Sequence, residues 1–117
     1  MTSLGTEADT ADLPTPAPDG TPERLSALAR AIAAEERRAL LEVMLEQTAP
    51  DHRGLSITQL AEATGVSRFA ASHHLRVLRD AGVALMTRDG YQRIHRINFQ
   101  AFLDLEDWVL RFSANQD

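Results

Sequence analysis

Residues Ser67 to Gly82 read SRFAASHHLRVLRDAG, and the rest of the architecture follows from how this stretch folds. Serine suits a helix N-cap and glycine a C-terminal stop, so the pattern predicts one helix through Asp80. At about 100° per residue from Arg68, the residues Arg79, Ser72, Arg76, Phe69, Asp80 and His73 fall on one half of the cylinder. Val77, Ala70, His74, Leu78, Ala71 and Leu75 fall on the other. An apolar half of this width packs against a core, so the opposite half displays three arginines, a serine and a histidine. Of the two adjacent histidines, His73 joins that polar surface and His74 packs beneath it with a hydrogen-bond partner.

Working outward, Gly65 ends a short helix, QLAEAT, for which Thr58 is the cap. A short helix, a tight glycine turn and a second helix with a polar face make a helix-turn-helix. LSI (55–57) is compatible with a very short strand. Downstream, VALMTRDGYQRIHRIN holds two extended runs around Asp89-Gly90, a strong hairpin signal. Upstream, Thr21-Pro22 opens a first helix over 22–33, in which Leu25, Leu28 and Ile32 share a face. EERRALLEVMLEQ forms a second, with acids at its start where the helix dipole favours them, and TAPDHRG is a loop. FQAFLDLEDWVLRFS is the last helix. The fold class is therefore mainly α with a small β-hairpin wing. Residues 1–21, with Pro14, Pro16 and Pro18 and no base, form an acidic tail too polar to order itself. Residues 22–112 form the folded domain and 113–117 its C-terminal end.

The chain carries 117 residues, no cysteine and a net charge of −5. No apolar run approaches the roughly 20 residues that span a bilayer, and the first residues lack the features of a signal peptide. A cytoplasmic protein without disulfide or thiol chemistry is the expectation. The acidic total hides a division. Residues 56–98 set Arg68, Arg76, Arg79, Arg88, Arg93 and Arg96 against Glu62, Asp80 and Asp89, for a local charge of +3. All twelve basic residues are arginine, the side chain best shaped for forked contacts to phosphate or guanine. The local field, not the total, bears on partners.

The second helix of a helix-turn-helix enters the DNA major groove and uses its N-terminal residues on base edges. Here these are Ser67, Arg68, Phe69, Ser72 and His73. Arg68 suits a bidentate guanine contact, and Phe69 a thymine methyl. Arg76 is placed for phosphate. Arg88, Tyr91, Gln92 and Arg93 lie near the hairpin tip, where a wing meets backbone or minor groove. A merely solvated polar face is the plain alternative, against which the arginine-bearing hairpin argues. For Phe69, folding back onto the domain stays equally open.

These residues match a family pattern. SITQLAEATGVSRFAASHHLRVLRDAGVALMTRDGYQRIHRIN (56–98), above all LAEATGVS, SHHLRVLRDAGV and RDG, resembles the winged-helix domain of ArsR-type bacterial transcriptional regulators. AAEERRALLEVM resembles that family's second helix, with Arg37 in place. The resemblance covers roughly residues 22–112. It implies a homodimeric repressor on an imperfect palindrome of double-stranded DNA, usually released by an effector.

The last helix points to a dimer independently. Phe102, Val109, Leu105, Phe112, Ala101 and Trp108 line one broad side, while Leu110, Leu103 and Phe99 cluster beyond it. That exceeds the apolar stripe of about 100° that a small monomer needs. Phe102, Leu105, Trp108, Val109 and Phe112 are thus interface candidates; burial as a central helix within one chain is the alternative. The resemblance adds Leu25, Leu28 and Ile32, because first and last helices form the family's interface.

Metal-sensing members of that family place cysteines in the helix before the recognition helix, or Asp and His on the last helix. Here the first position reads QLAEAT, and DLED (104–107) offers carboxylates without histidine. Carboxylates alone make poor transition-metal sites, so no metal or cofactor is expected and the effector is unassigned. An unusual zinc site drawing on His52, His73, His74 or His95 is a remote alternative. Ser72 and His73 are helix neighbours that face apart, and no phosphate loop or acid–base pair occurs, so the chain is not expected to be an enzyme. A winged helix that binds only protein is the rival reading.

Overall fold

The structure, a computed structural model, describes residues 21–47 and 53–115. The proline-rich tail up to residue 20 and His52 lie outside the described residues. In chain order the elements are α1 (Thr21–Ala31), α2 (Glu35–Glu46), β1 (Leu55–Ser56), α3 (Ile57–Thr64), α4 (Arg68–Asp80), β2 (Ala84–Asp89), β3 (Gln92–Ile97) and α5 (Phe99–Ala114). The strands form an antiparallel sheet in the order β1-β3-β2. Mainly α with a three-stranded wing sheet is the observed class, as the sequence pattern predicts.

Helix α1 already includes Thr21 and stops at Ala31, two residues before the expected end. Arginines from the next helix impose that stop. Arg37 donates from Nε to the Ala31 carbonyl at 2.6 Å and from Nη2 to that of Arg30 at 3.3 Å. Arg38 donates from Nη1 to the carbonyls of Ile32 and Ala33 at 2.8 and 3.0 Å. Carbonyls that a helix end leaves unpaired are thus satisfied without glycine or proline.

The cap of α3 is Ser56, not Thr58. Its hydroxyl accepts from the Gln59 N–H at 3.1 Å, while Gln59 Oε1 accepts from the Ser56 N–H at 2.8 Å. This reciprocal capping box starts the helix at Ile57 and lets Ser56 also end strand β1. Gly65 closes α3 in the left-handed conformation (φ 80°). The hairpin turn is also shifted by one residue from expectation. Asp89 pairs with Gln92, so Gly90-Tyr91 is the two-residue loop, and Gly90 takes the positive φ (68°) that such turns require.

The core gathers Leu28 and Ala31 of α1, Leu40, Leu41 and Met44 of α2, Leu60 of α3, and Leu75 and Leu78 of α4 with Leu55, Val83, Ala84 and Ile97. Helix α5 contributes no buried residue; Phe102 and Leu105 pack only partly onto the core's edge. It runs to Ala114, one residue past the helix end expected at Ser113. An Arg24–Asp104 ion pair at 3.8 Å links α1 to α5.

Candidate nucleic-acid interface

Helix α4 is fixed at its start by Ser67, whose hydroxyl accepts from the Ala70 N–H at 3.0 Å. The capping task takes one of that oxygen's two acceptor sites, which leaves the hydroxyl proton and one lone pair for an outside contact. Ala71, Leu75 and Leu78 face inward with no exposed surface. The opposite side presents Arg68, Phe69, Ser72, His73 and Arg76, all exposed. Phe69 is 87% exposed, so it does not fold back onto the domain. Arg76 makes an ion pair with Asp80 at 3.9 Å, with both side chains about three-quarters exposed; pairs of this kind contribute little.

Arg79 departs from the simple two-sided helix. It does not stand on the displayed face with Arg68 and Arg76 but is half-buried, its Nη1 2.9 Å from Nε2 of His95 on β3. His95, expected on an open wing, is fully buried at the wing's base. Burial first, and the Arg79 charge second, push its pKa down to about 4. His74 is half-buried, with Nδ1 3.3 Å from Arg37 Nη1. Burial, then Arg37 and His73, lower its pKa, while Glu36 acts in the opposite direction. A guanidinium can only donate, so in both contacts the imidazole nitrogen is the acceptor.

The wing carries Arg88, Tyr91, Gln92 and Arg93 on exposed positions, with Tyr91 fully exposed at the turn. Arg53, from the segment before β1, makes an ion pair with Asp89 and so leaves the wing's arginines without that acid. No spacing rule points to Arg53, to the Arg79–His95 contact or to the Arg37–His74 contact. Each joins elements distant in sequence and becomes visible only when the sheet and helices are assembled.

Among the described residues, no group of three or more His, Cys, Asp or Glu converges as a metal site requires. Asp104 accepts from Gln100 and pairs with Arg24, while His74 and His95 are engaged as above. No helix among the described residues is long and apolar enough to cross a membrane.

A capped second helix after a glycine elbow, with an arginine-bearing hairpin and a returning helix, defines a winged helix-turn-helix. Comparison shows which known proteins the chain resembles. The family profile described as "Bacterial regulatory protein, arsR family" matches residues 35–84, from α2 through the first residue of β2. Solved structures share the fold. An ArsR-like transcriptional regulator from Rhodococcus sp. RHA1 has a TM-score of 0.67 at 23% identity, covering 81% of this chain and 84% of that one. The homodimeric winged helix-turn-helix DNA-binding domain of a possible ArsR-family regulator from Mycobacterium bovis gives 0.63 at 20% identity, over 86% and 89%. The AntR antimony-specific transcriptional repressor gives 0.55 at 26% identity, over 99% and 100%. Among curated proteins none matches.

Proposed function

We propose that this chain is a sequence-specific regulator of transcription, a homodimeric repressor that binds an imperfect palindrome in double-stranded DNA. One observation carries the reading: α4 buries Ala71, Leu75 and Leu78 completely while exposing Arg68, Phe69, Ser72, His73 and Arg76 on the opposite side. Arg68, Phe69, Ser72 and His73 read base edges, with Ser67 at the groove's margin. Arg76 meets phosphate, and Arg88, Tyr91, Gln92 and Arg93 let the wing grip the adjoining backbone. The protein binds and does not catalyse, and it acts in the cytoplasm, where such DNA lies.

The dimer is supported by α5, whose Phe99, Leu103, Trp108, Val109, Leu110 and Phe112 are all exposed large hydrophobic residues. Contiguous apolar surface of this kind marks an interface. Phe102, Leu105, Leu25 and Ile32 are half-buried and extend it. Leu28 is 3% exposed within its own chain and serves the core, so it drops out of the interface. The homodimeric relative supports the same assembly. No family-type Cys or His metal site is proposed, and the effector is unassigned.

The test is a pair of alanine substitutions, Arg68→Ala with Arg76→Ala, read by anisotropy of a labelled mixed-sequence duplex across salt concentrations. Salt-sensitive binding by the parent protein, strongly reduced in the double variant, supports the reading. Binding that is weak and indifferent to salt in both would refute it and favour a protein-binding winged helix.

A further inference from the structure

We propose that Arg79, aimed by His95 and joined by Arg76 and Arg93, forms a site for one backbone phosphate of duplex DNA at the junction of α4 and the wing. The inference rests on the DNA-binding reading and adds to it a residue pair and a geometry.

A half-buried arginine held for structural reasons is ordinarily paired with a carboxylate. Arg79 is not. Its one side-chain hydrogen bond among the described residues goes to the neutral ring of His95. Because the guanidinium donates to Nε2, the ring's proton resides on Nδ1. Burial keeps the ring uncharged at neutral pH. His95 therefore orients the cation without neutralising it, and the other N–H groups of the fork stay available for a second acceptor.

The surroundings are cationic. Burial and the charges of Arg93 and Arg76 all disfavour the Arg79 cation, and only Asp80 supports it. Asp80 is itself shared with Arg76 in a long, exposed contact. On β3, Arg93 and His95 are two residues apart and so project from the same face of the strand. That face also carries Ile97, which lies in the core, so it is the side turned towards the helices. Arg93 continues it towards the tip. Directly across the ladder stands Arg88, and like charges in opposed positions destabilise a strand pair. The acid nearest them in sequence, Asp89, is taken by Arg53.

Among the described residues Arg79 is held by a neutral acceptor while Arg93 and Arg76 oppose its charge, and Arg88 stands opposite Arg93. A bound anion reverses the account: like charges that repel in the free protein become converging donors. A duplex backbone supplies that anion where a helix lies in the groove and a hairpin flanks it. His95 is thus a positioning residue, acting on DNA through Arg79.

The experiment measures affinity for a mixed-sequence duplex over a salt series for the parent, Arg79→Gln, His95→Leu, His95→Gln and the double variant Arg79→Gln/His95→Leu. Loss of one phosphate contact lowers the slope of log affinity against log salt by about 0.9 per chain. Arg79→Gln is expected to show that drop, with affinity reduced about tenfold equally on duplexes of different sequence. His95→Leu should reproduce it, the double variant should be no worse than Arg79→Gln alone, and His95→Gln, which keeps an acceptor, should recover most of the slope. If His95→Leu fails to fold by circular dichroism, Arg79→Gln and His95→Gln decide the matter. A parental slope retained in Arg79→Gln overturns this inference and leaves DNA binding intact. Absence of salt-dependent binding in the parent overturns the DNA-binding reading, and this inference with it.

Discussion

Gly54 shows how much a single residue can carry. It takes φ of 100°, and a Cβ there would collide with the carbonyl oxygen of His95. Gly54→Ala combines backbone strain with that clash and should cost at least about 2 kcal/mol; urea denaturation checks it, and a loss under about 0.5 kcal/mol would contradict the packing described. His95 gives a second residue-scale prediction. The unfolded chain takes up its proton near the ordinary 6.5, whereas the folded chain does so only near 4. Protons therefore favour unfolding between those values. Stability is full above about pH 6.5 and falls as acid is added, by no more than about 1.4 kcal/mol per pH unit from this group. Arg79 on α4 and Arg93 on β3 are the charges that oppose protonation of the ring. His74, whose pKa is also lowered, acts in the same direction. Denaturant midpoints measured from pH 7 to 4.5 should decline in the parent, and less steeply in His95→Leu if that variant folds. A flat parental profile would contradict the burial of a neutral ring. Helical spacing places His74 correctly beneath the surface, because an angle on a helix reports which way a side chain points. The burial of His95 is invisible to that reasoning, since it depends on β3 lying between two strands and against α2 and α3.

At the scale of elements, α4 is legible from both ends: Ser67 caps it and Gly82 stops it, and its two halves divide as the spacing predicts. The exception, Arg79, is instructive. Its angle puts it with the displayed arginines, but it lies in the last turn, where the wing's base comes within reach. Angle alone carries no information about what another element places opposite. The same holds for α3, where Thr58 has the right residue type but Ser56 has Gln59 three positions on to complete a reciprocal cap. In the hairpin, Asp89-Gly90 marks the turn correctly to within one residue, and only the strand register resolves it. Under the proposed function these elements have separable tasks on DNA. Arg68→Ala should relax preference at one base position and cost about 1–3 kcal/mol on the preferred duplex. Arg76→Ala should weaken binding evenly across sequences. Competition binding against single-base variants of the preferred duplex separates the two, and uniform loss from Arg68→Ala would move that residue from base reading to phosphate contact.

For the whole molecule, the decisive features are a positive middle segment within an acidic chain and a last helix that the other described residues leave largely uncovered. Both are legible from composition and spacing; which apolar residues the chain retains for itself is not, as Leu28 shows. Trp108 and Phe112, edge to face at 4.8 Å on α5, sit on the uncovered surface. Phe112→Glu, at a position 63% exposed, should leave the fold intact and shift sedimentation from dimer to monomer. Weaker DNA binding should accompany that shift. A parent that sediments as a monomer would remove the dimer from the account. Two α4 helices related by a two-fold axis would meet successive major grooves about 34 Å apart, which ties assembly to the form of the target site. The most direct test of the central claim is therefore selection from a pool of random duplexes, followed by sequencing. A homodimeric regulator enriches one two-fold symmetric motif with half-site centres about 10 base pairs apart, whose binding weakens steeply with salt. A pool that emerges without any enriched motif would contradict it.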